Sequence, residues 1–164
     1  MNSITPETFI NTLFPPDLLD GERPVVAWPD SFTSRETGEL VEYYAQRHWP
    51  VDLPEKATYF CLSTVVRQRK RQVKKRLEDV RTAMVLVVDD IGTKAKMPRV
   101  PPSYQLETSE GNYQWGWLIE PYDVSTPRGQ AYFDSVLYSL AAAGMNDEGF
   151  RSASRLARLP GSIH

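Results

Sequence analysis

The sequence predicts an α+β fold: a largely antiparallel sheet with helices packed on one side of it. Three observations lead there. Strand-like runs rich in β-branched and aromatic residues ("PVVAW", "ATYFCLSTV", "TAMVLVVDD") are separated irregularly by helix-like segments, without a strict βαβ rhythm. Two further strand-like runs flank "SEGN", a short connection of turn formers that marks a hairpin. A chain of 164 residues is long enough for one sizeable core and too short for two, so one domain spanning residues 1–164 is expected.

The elements follow in order. Thr5 is placed to N-cap a short helix, with Pro6 at its first position and Glu7 in its first turn. "PVVAW" is a brief strand between prolines. Residues 39–48 put Leu40, Val41, Tyr44, Ala45 and His48 on one helical face, which predicts a helix there. His48 then reads as a packed or rim histidine, because no second histidine or cysteine stands at metal spacing. "ATYFCLSTV" is a buried strand, with Cys61 acting as a small core hydrophobe. The segment 67–81 contains no glycine or proline and many good helix formers, so it is predicted as a helix. Strand "TAMVLVVDD" and the hairpin "SYQLETSEGNYQWGWLI" come next, and "TPRGQAYFDSVLYSLAAAG" is an amphipathic helix closed by Gly144. Along the second hairpin strand Gln114 and Gly116 share a face. A glycine inside a strand leaves room there, either for a ligand on that face or only for a thin hairpin edge.

Composition narrows the function classes. Hydrophobic residues make up 41% and charged residues 24%, which excludes wholesale disorder and fibrous classes. The chain shows neither a membrane-length apolar run nor a signal peptide, so a cytoplasmic protein without a membrane partner is expected. The net charge of -2 conceals an uneven distribution. Eight basic residues fall between Arg67 and Arg81, among them Arg67, Arg69, Lys70, Arg71, Lys74 and Lys75, against two acidic ones. The rest of the chain keeps 11 of 19 basic and 19 of 21 acidic residues, a balance of -8. Such a basic element on an acidic body is either a solvated face or a polyanion-binding footprint.

"VLVVDDIGTK" poses the sharpest chemical question. Asp89 and Asp90 either begin a turn or hold a divalent metal beside a phosphate that Lys94 could reach. Successive side chains of a regular strand point to opposite faces, so the two carboxylates enter one site only if the strand bulges or ends there. Gly92 makes such a break plausible.

The succession "FCLSTV", basic segment, "VVDDIGTK", "LETSEGNYQWGWLI", helix and "SRLARLPGS" resembles the catalytic core of phage and plasmid replication primases of the archaeo-eukaryotic primase (primase-polymerase) superfamily, over roughly residues 57–162. The resemblance implies an archaeo-eukaryotic primase-like (RRM-like) core. It also implies metal-dependent synthesis of primers on a single-stranded DNA template from nucleoside triphosphates, with Mg²⁺ or Mn²⁺. The domain would be the N-terminal part of a longer replication protein, with a helicase fused or separate. On this resemblance Asp89 and Asp90 are the metal ligands, with Glu107 a weaker third, and Lys94, Ser109, Asn112, Gln114, Arg155 and Arg158 contact the nucleotide. The segment with Arg67, Arg69, Lys70, Arg71, Lys74 and Lys75 grips the template. The family's first motif separates its acidic residues by one apolar residue, whereas Asp89 and Asp90 are adjacent; Gln114 stands where the family has a histidine, and Ser152 where it often has a third acid. Two other readings compete: a non-catalytic DNA-binding module of replication initiation that keeps the fold, and a two-metal nuclease.

Overall fold

The computed structural model describes residues 4–18, 21–68, 73 and 76–161. The first helix, α1 (Pro6–Leu13), begins as expected: Thr5 caps it, its Oγ1 accepting from the Thr8 N–H at 3.1 Å. Phe9, Ile10 and Leu13 form its buried face. After a single 3₁₀ turn, the chain lays down β1 (Glu22–Arg23), β2 (Val25–Thr33) and β3 (Leu40–His48).

Residues 39–48 are therefore a strand and not the predicted helix. β3 pairs antiparallel with β2 over nine positions, from Val25↔His48 to Thr33↔Leu40. The connecting turn explains the outcome. Ser34 Oγ accepts from the N–H groups of Glu36 and Thr37, and the Ser34 C=O accepts from Gly38, so the segment folds back on β2 before a helix could propagate. Only Ala45 of β3 is fully buried, so the five apolar positions had matched a helical period without marking a core face.

The predicted strand around Cys61 is two strands, β4 (Tyr59–Cys61) and β5 (Ser63–Val66), separated by the buried Leu62. At that residue the chain passes from one sheet to the other. β4 joins β2, whereas β5 joins β1 and β6 (Val80–Ile91). The segment 67–81 is not α-helical at any described position: Arg67, Gln68, Val73 and Arg76 are irregular, Leu77–Asp79 is one 3₁₀ turn, and Val80 opens β6. Val80 and Thr82 carry the β-branching that suits the pairing with β5 and the next hairpin. Arg69, Lys70, Arg71, Lys74 and Lys75 lie outside the described residues.

The predicted hairpin is β7 (Tyr104–Ser109) and β8 (Asn112–Asp123), joined by Glu110 and Gly111 alone. Helix α2 (Pro127–Ala142) follows, capped by Thr126, and a last short strand, β9 (Leu156–Arg158), pairs with β4. The result is a mostly antiparallel α+β architecture. One five-stranded sheet runs β1-β5-β6-β8-β7 and one four-stranded sheet runs β3-β2-β4-β9. A shared core joins them, built from α1 and its C-cap (Ile10, Phe14), the strands (Val26, Phe60, Val85, Val87), Leu62 between β4 and β5, α2 (Phe133, Leu137) and the C-terminal segment (Phe150, Leu159). Cys61 is buried within it, its thiol 3.8 Å from the Ala153 C=O. Among the described residues no helix is long and apolar enough to cross a membrane.

Candidate functional site

A break in the β6–β8 ladder organises the site. The strands pair through Val87↔Gly116 and Val88↔Trp115 and resume at Ile91↔Tyr113, so Asp89 and Asp90 together face the single residue Gln114. This is a β-bulge, and it answers the question posed by two adjacent carboxylates. Asp90 takes φ 61°, the only positive φ of a non-glycine among the described residues, in the left-handed region that aspartate tolerates better than most. The chain then folds tightly, with the N–H groups of Lys94 and Ala95 donating to the Asp90 C=O at 3.0 and 2.8 Å. Gly92 is required at the tip: its φ is 91°, and a Cβ there would lie 2.6 Å from the Gly111 carbonyl oxygen of the hairpin turn.

The two carboxylates have opposite environments. Asp90 is neutralised locally, with Lys94 Nζ donating to Oδ2 at 2.8 Å and Asn112 Nδ2 to Oδ1 at 3.1 Å. The bond from Lys94, then that from Asn112, holds its carboxyl below the usual range, and the same contact raises Lys94. Asp89 is pushed upward, first by burial and then by the negative charges of Asp90 and Asp147, against which the Asp90 N–H and Arg158 act only in part. Asn146 sets this arrangement. Almost fully buried, it accepts from the Asp89 N–H at 2.8 Å and the Asp147 N–H at 3.0 Å, and donates to the Phe150 C=O at 3.2 Å. One amide thus ties β6 to the loop after α2 and brings the Asp147 charge to bear on Asp89.

Gln114 is fully buried and wholly engaged. Its Oε1 accepts from the Arg158 N–H at 2.7 Å, while Nε2 donates to the Arg158 C=O and to the Tyr104 hydroxyl, each at 3.2 Å. The amide completes the free edge of β9 as a neighbouring strand would, so it has no donor left for a phosphate. The space beside Gly116 is likewise filled by protein: a Cβ there would lie 2.0 Å from Tyr104 Cε1. Tyr104 packs edge-on against Phe9 at 4.9 Å, and burial raises its phenol above the ordinary range. The face predicted as a ligand floor is a packing surface between the two sheets.

The remaining predicted residues separate into three places. Asn112 and Lys94 join Asp90. Arg158 stands over the Tyr59 ring at 4.7 Å with Nη1 buried and without a hydrogen-bond partner among the described residues, close enough for its charge to act on Asp89. Exposed Arg155 lies over Phe150 at 5.8 Å. Ser109 is exposed at the hairpin end, paired in register with Asn112. Glu107 is opposite Tyr113, on the sheet face away from Gln114, and caps the turn by accepting from the Gly111 N–H, so it does not join the aspartates. Arg67 is exposed and its N–H donates to the Gly21 C=O. Asn146 carried no signal in the sequence beyond an ordinary polar turn after Gly144.

Carboxylate oxygens are the donors that Mg²⁺ and Mn²⁺ prefer; Asp89 is raised mainly by burial and then by the charges of Asp90 and Asp147, and a divalent cation would offset that repulsion. Among the described residues no three His, Cys, Asp or Glu side chains are grouped so as to hold a metal by themselves. One or two carboxylates bind such an ion only together with other oxygen ligands. No protein-family model, curated protein or solved structure matches the chain significantly.

Proposed function

We propose that the chain is a metal-dependent nucleotidyltransferase of the primase-polymerase type, joining nucleotides on single-stranded DNA during replication of a phage or plasmid. The observation that carries this reading is the bulge that sets Asp89 and Asp90 together opposite Gln114, in the stretch on which the resemblance to replication primases rests. Asp89 and Asp90 would hold Mg²⁺ or Mn²⁺, which would supply the positive charge that phosphoryl transfer needs. With Asp90 engaged by the ion, Lys94 would be available to the triphosphate. Its side chain is 76% exposed and Asp90 is its one ion-pair partner among the described residues. Arg158, which stands over Tyr59 and whose charge already acts on Asp89, adds positive charge for the phosphates on that side. Gln114 positions Arg158 through its backbone and makes no contact with the nucleotide.

The test is incubation with single-stranded DNA, labelled nucleotides and Mn²⁺ or Mg²⁺, comparing the protein with Asp89→Asn/Asp90→Asn, which keeps side-chain size. Products longer than the input nucleotide, lost in the double variant, are expected. A second reading, a DNA-holding module that retains the fold, is favoured by the neutralisation of Asp90 by Lys94 and Asn112. DNA binding without synthesis, unchanged in the double variant, would replace the first reading by the second.

A further inference from the structure

The outer side of the four-stranded sheet carries an aromatic and basic cleft. Register places its parts on one face: Tyr44 is opposite Pro29, Tyr59 opposite Ala27 two residues earlier on β2, and Arg158 opposite Tyr59. The Tyr44 and Tyr59 rings meet edge to face at 5.8 Å, and Arg158 lies on the far side of Tyr59. Tyr44, Tyr59, Arg155 and Leu156 line a cavity of about 220 Å³, equal to about seven waters at liquid density. Tyr44 is 47% exposed, so its ring is presented to solvent. Neither Arg155 nor Arg158 forms an ion pair within 4 Å among the described residues, so Arg155 brings a guanidinium to the cleft and Arg158, whose charge also acts on Asp89, stands beside it.

We infer that this cleft is a contact site for single-stranded nucleic acid, in which Tyr44 stacks on a base and Arg155 neutralises the adjoining phosphate. Stacking platforms combined with cations are what bind single strands without regard to sequence. The path of the strand follows from charge. Beyond Tyr44 the sheet opens into a larger groove of about 600 Å³ lined by Asp30, Glu42 and Glu55 against the lone cation Lys56. A phosphate backbone is repelled there and runs the other way, past Arg158 toward Asp89. The cleft would therefore deliver a strand to the carboxylates, a role that rests on the proposed nucleotidyltransferase for its destination but not for its binding.

The experiment is fluorescence anisotropy of labelled dT12 and rU12, and of a 12-mer of abasic sites, with the full chain in EDTA at several salt concentrations. Tyr44→Ala is expected to weaken dT12 or rU12 binding about 5- to 150-fold, the loss of one stacked base, with an unchanged salt dependence and no effect on the abasic strand. Arg155→Gln is expected to weaken all three and to lower the slope of log K against log salt by about 0.7, one phosphate of a single strand. The tighter of dT12 and rU12 identifies the sugar. Binding by Tyr44→Ala within twofold of the parent, or an equal loss on the abasic strand, would overturn the inference. Both substitutions are at exposed side chains, and a thermal melt checks that the fold is kept. The assay needs no metal, triphosphate or turnover, so it can fail while synthesis still depends on Asp89 and Asp90, and it can succeed where synthesis is not found.

Discussion

Replacing Gln114 by leucine tests the junction on which the candidate site is built. Leucine fills much of the same volume, so the change is chiefly a loss of three hydrogen bonds: those with the Arg158 N–H, the Arg158 C=O and the Tyr104 hydroxyl. A buried polar group left without a partner costs about 1–3 kcal/mol, so the two backbone groups of Arg158 alone set a range of about 2–6 kcal/mol. Because β9 is an edge strand that can admit water, the lower half is expected, about 3 kcal/mol. For a domain of this length that is a fall in Tm of about 6–12 °C. Urea unfolding followed by circular dichroism measures the loss, and Gln114→Glu refines it. Glutamate keeps the acceptor for the Arg158 N–H but turns a carboxylate oxygen toward the Arg158 C=O, so it should be at least as harmful at neutral pH and partly recover in acid as the carboxyl gains a proton. A loss below about 0.5 kcal/mol, the range of an ordinary surface change, would refute the assignment of Gln114 to the sheet junction and return it to the list of nucleotide contacts.

Gly116→Ala should destabilise by about 1–3 kcal/mol through overpacking against Tyr104, and Tyr104→Leu in the same chain should recover part of that loss in a thermal melt. Asp89→Asn should raise stability at neutral pH. Its folded pKa lies above 3.8, so the cost of the ionised carboxylate is fully present above that folded value, declines as pH falls through it and is gone below 3.8. Asp90→Asn should do the reverse. Its folded pKa lies below 3.8, so its contribution is present above 3.8 and is lost as pH falls through the folded value; unfolding curves at neutral and acid pH separate the two variants. Mn²⁺ at one hundred times its dissociation constant should stabilise the parent by about 2.7 kcal/mol and leave Asp89→Asn/Asp90→Asn unchanged, seen as a rise in Tm of the parent alone that EDTA abolishes.

Much of the fold could be read from local signals because those signals were strong. Thr5-Pro6 and Thr126-Pro127 each began a helix as capping chemistry requires, and a two-residue turn closed the hairpin at Glu110-Gly111. The failure at residues 39–48 has a plain cause. Leu40, Val41, Tyr43 and Tyr44 suit a strand by residue type, yet five positions happened to fit the helical period, and the deciding contact was with β2 across a turn. At the site, the sequence marked Asp89, Asp90 and Gly92 as a break in a strand, and the bulge is there. What it could not carry were relations over long separations. Asn146 reaches Asp89 across 57 positions and Gln114 reaches Arg158 across 44, and neither pair leaves a periodic trace.

The crossing of the chain at Leu62 has a consequence for how the protein is assembled. β4 leaves one sheet and β5 enters the other with one residue between them, yet the neighbour that completes β4 is β9, nearly a hundred positions later. The five-stranded sheet can pair in full once residue 123 has been made, whereas the four-stranded sheet keeps a bare edge along Tyr59–Cys61 until residues 156–158 arrive. The Gln114 amide, pointing at the same gap, waits for the same strand. Folding should therefore be limited by a late, long-range closure, and chains interrupted before Leu156 should present a ready template for strand addition between molecules. The closing strand also carries Arg158, so the cleft and the carboxylate side of the site are completed in the step that seals the second sheet.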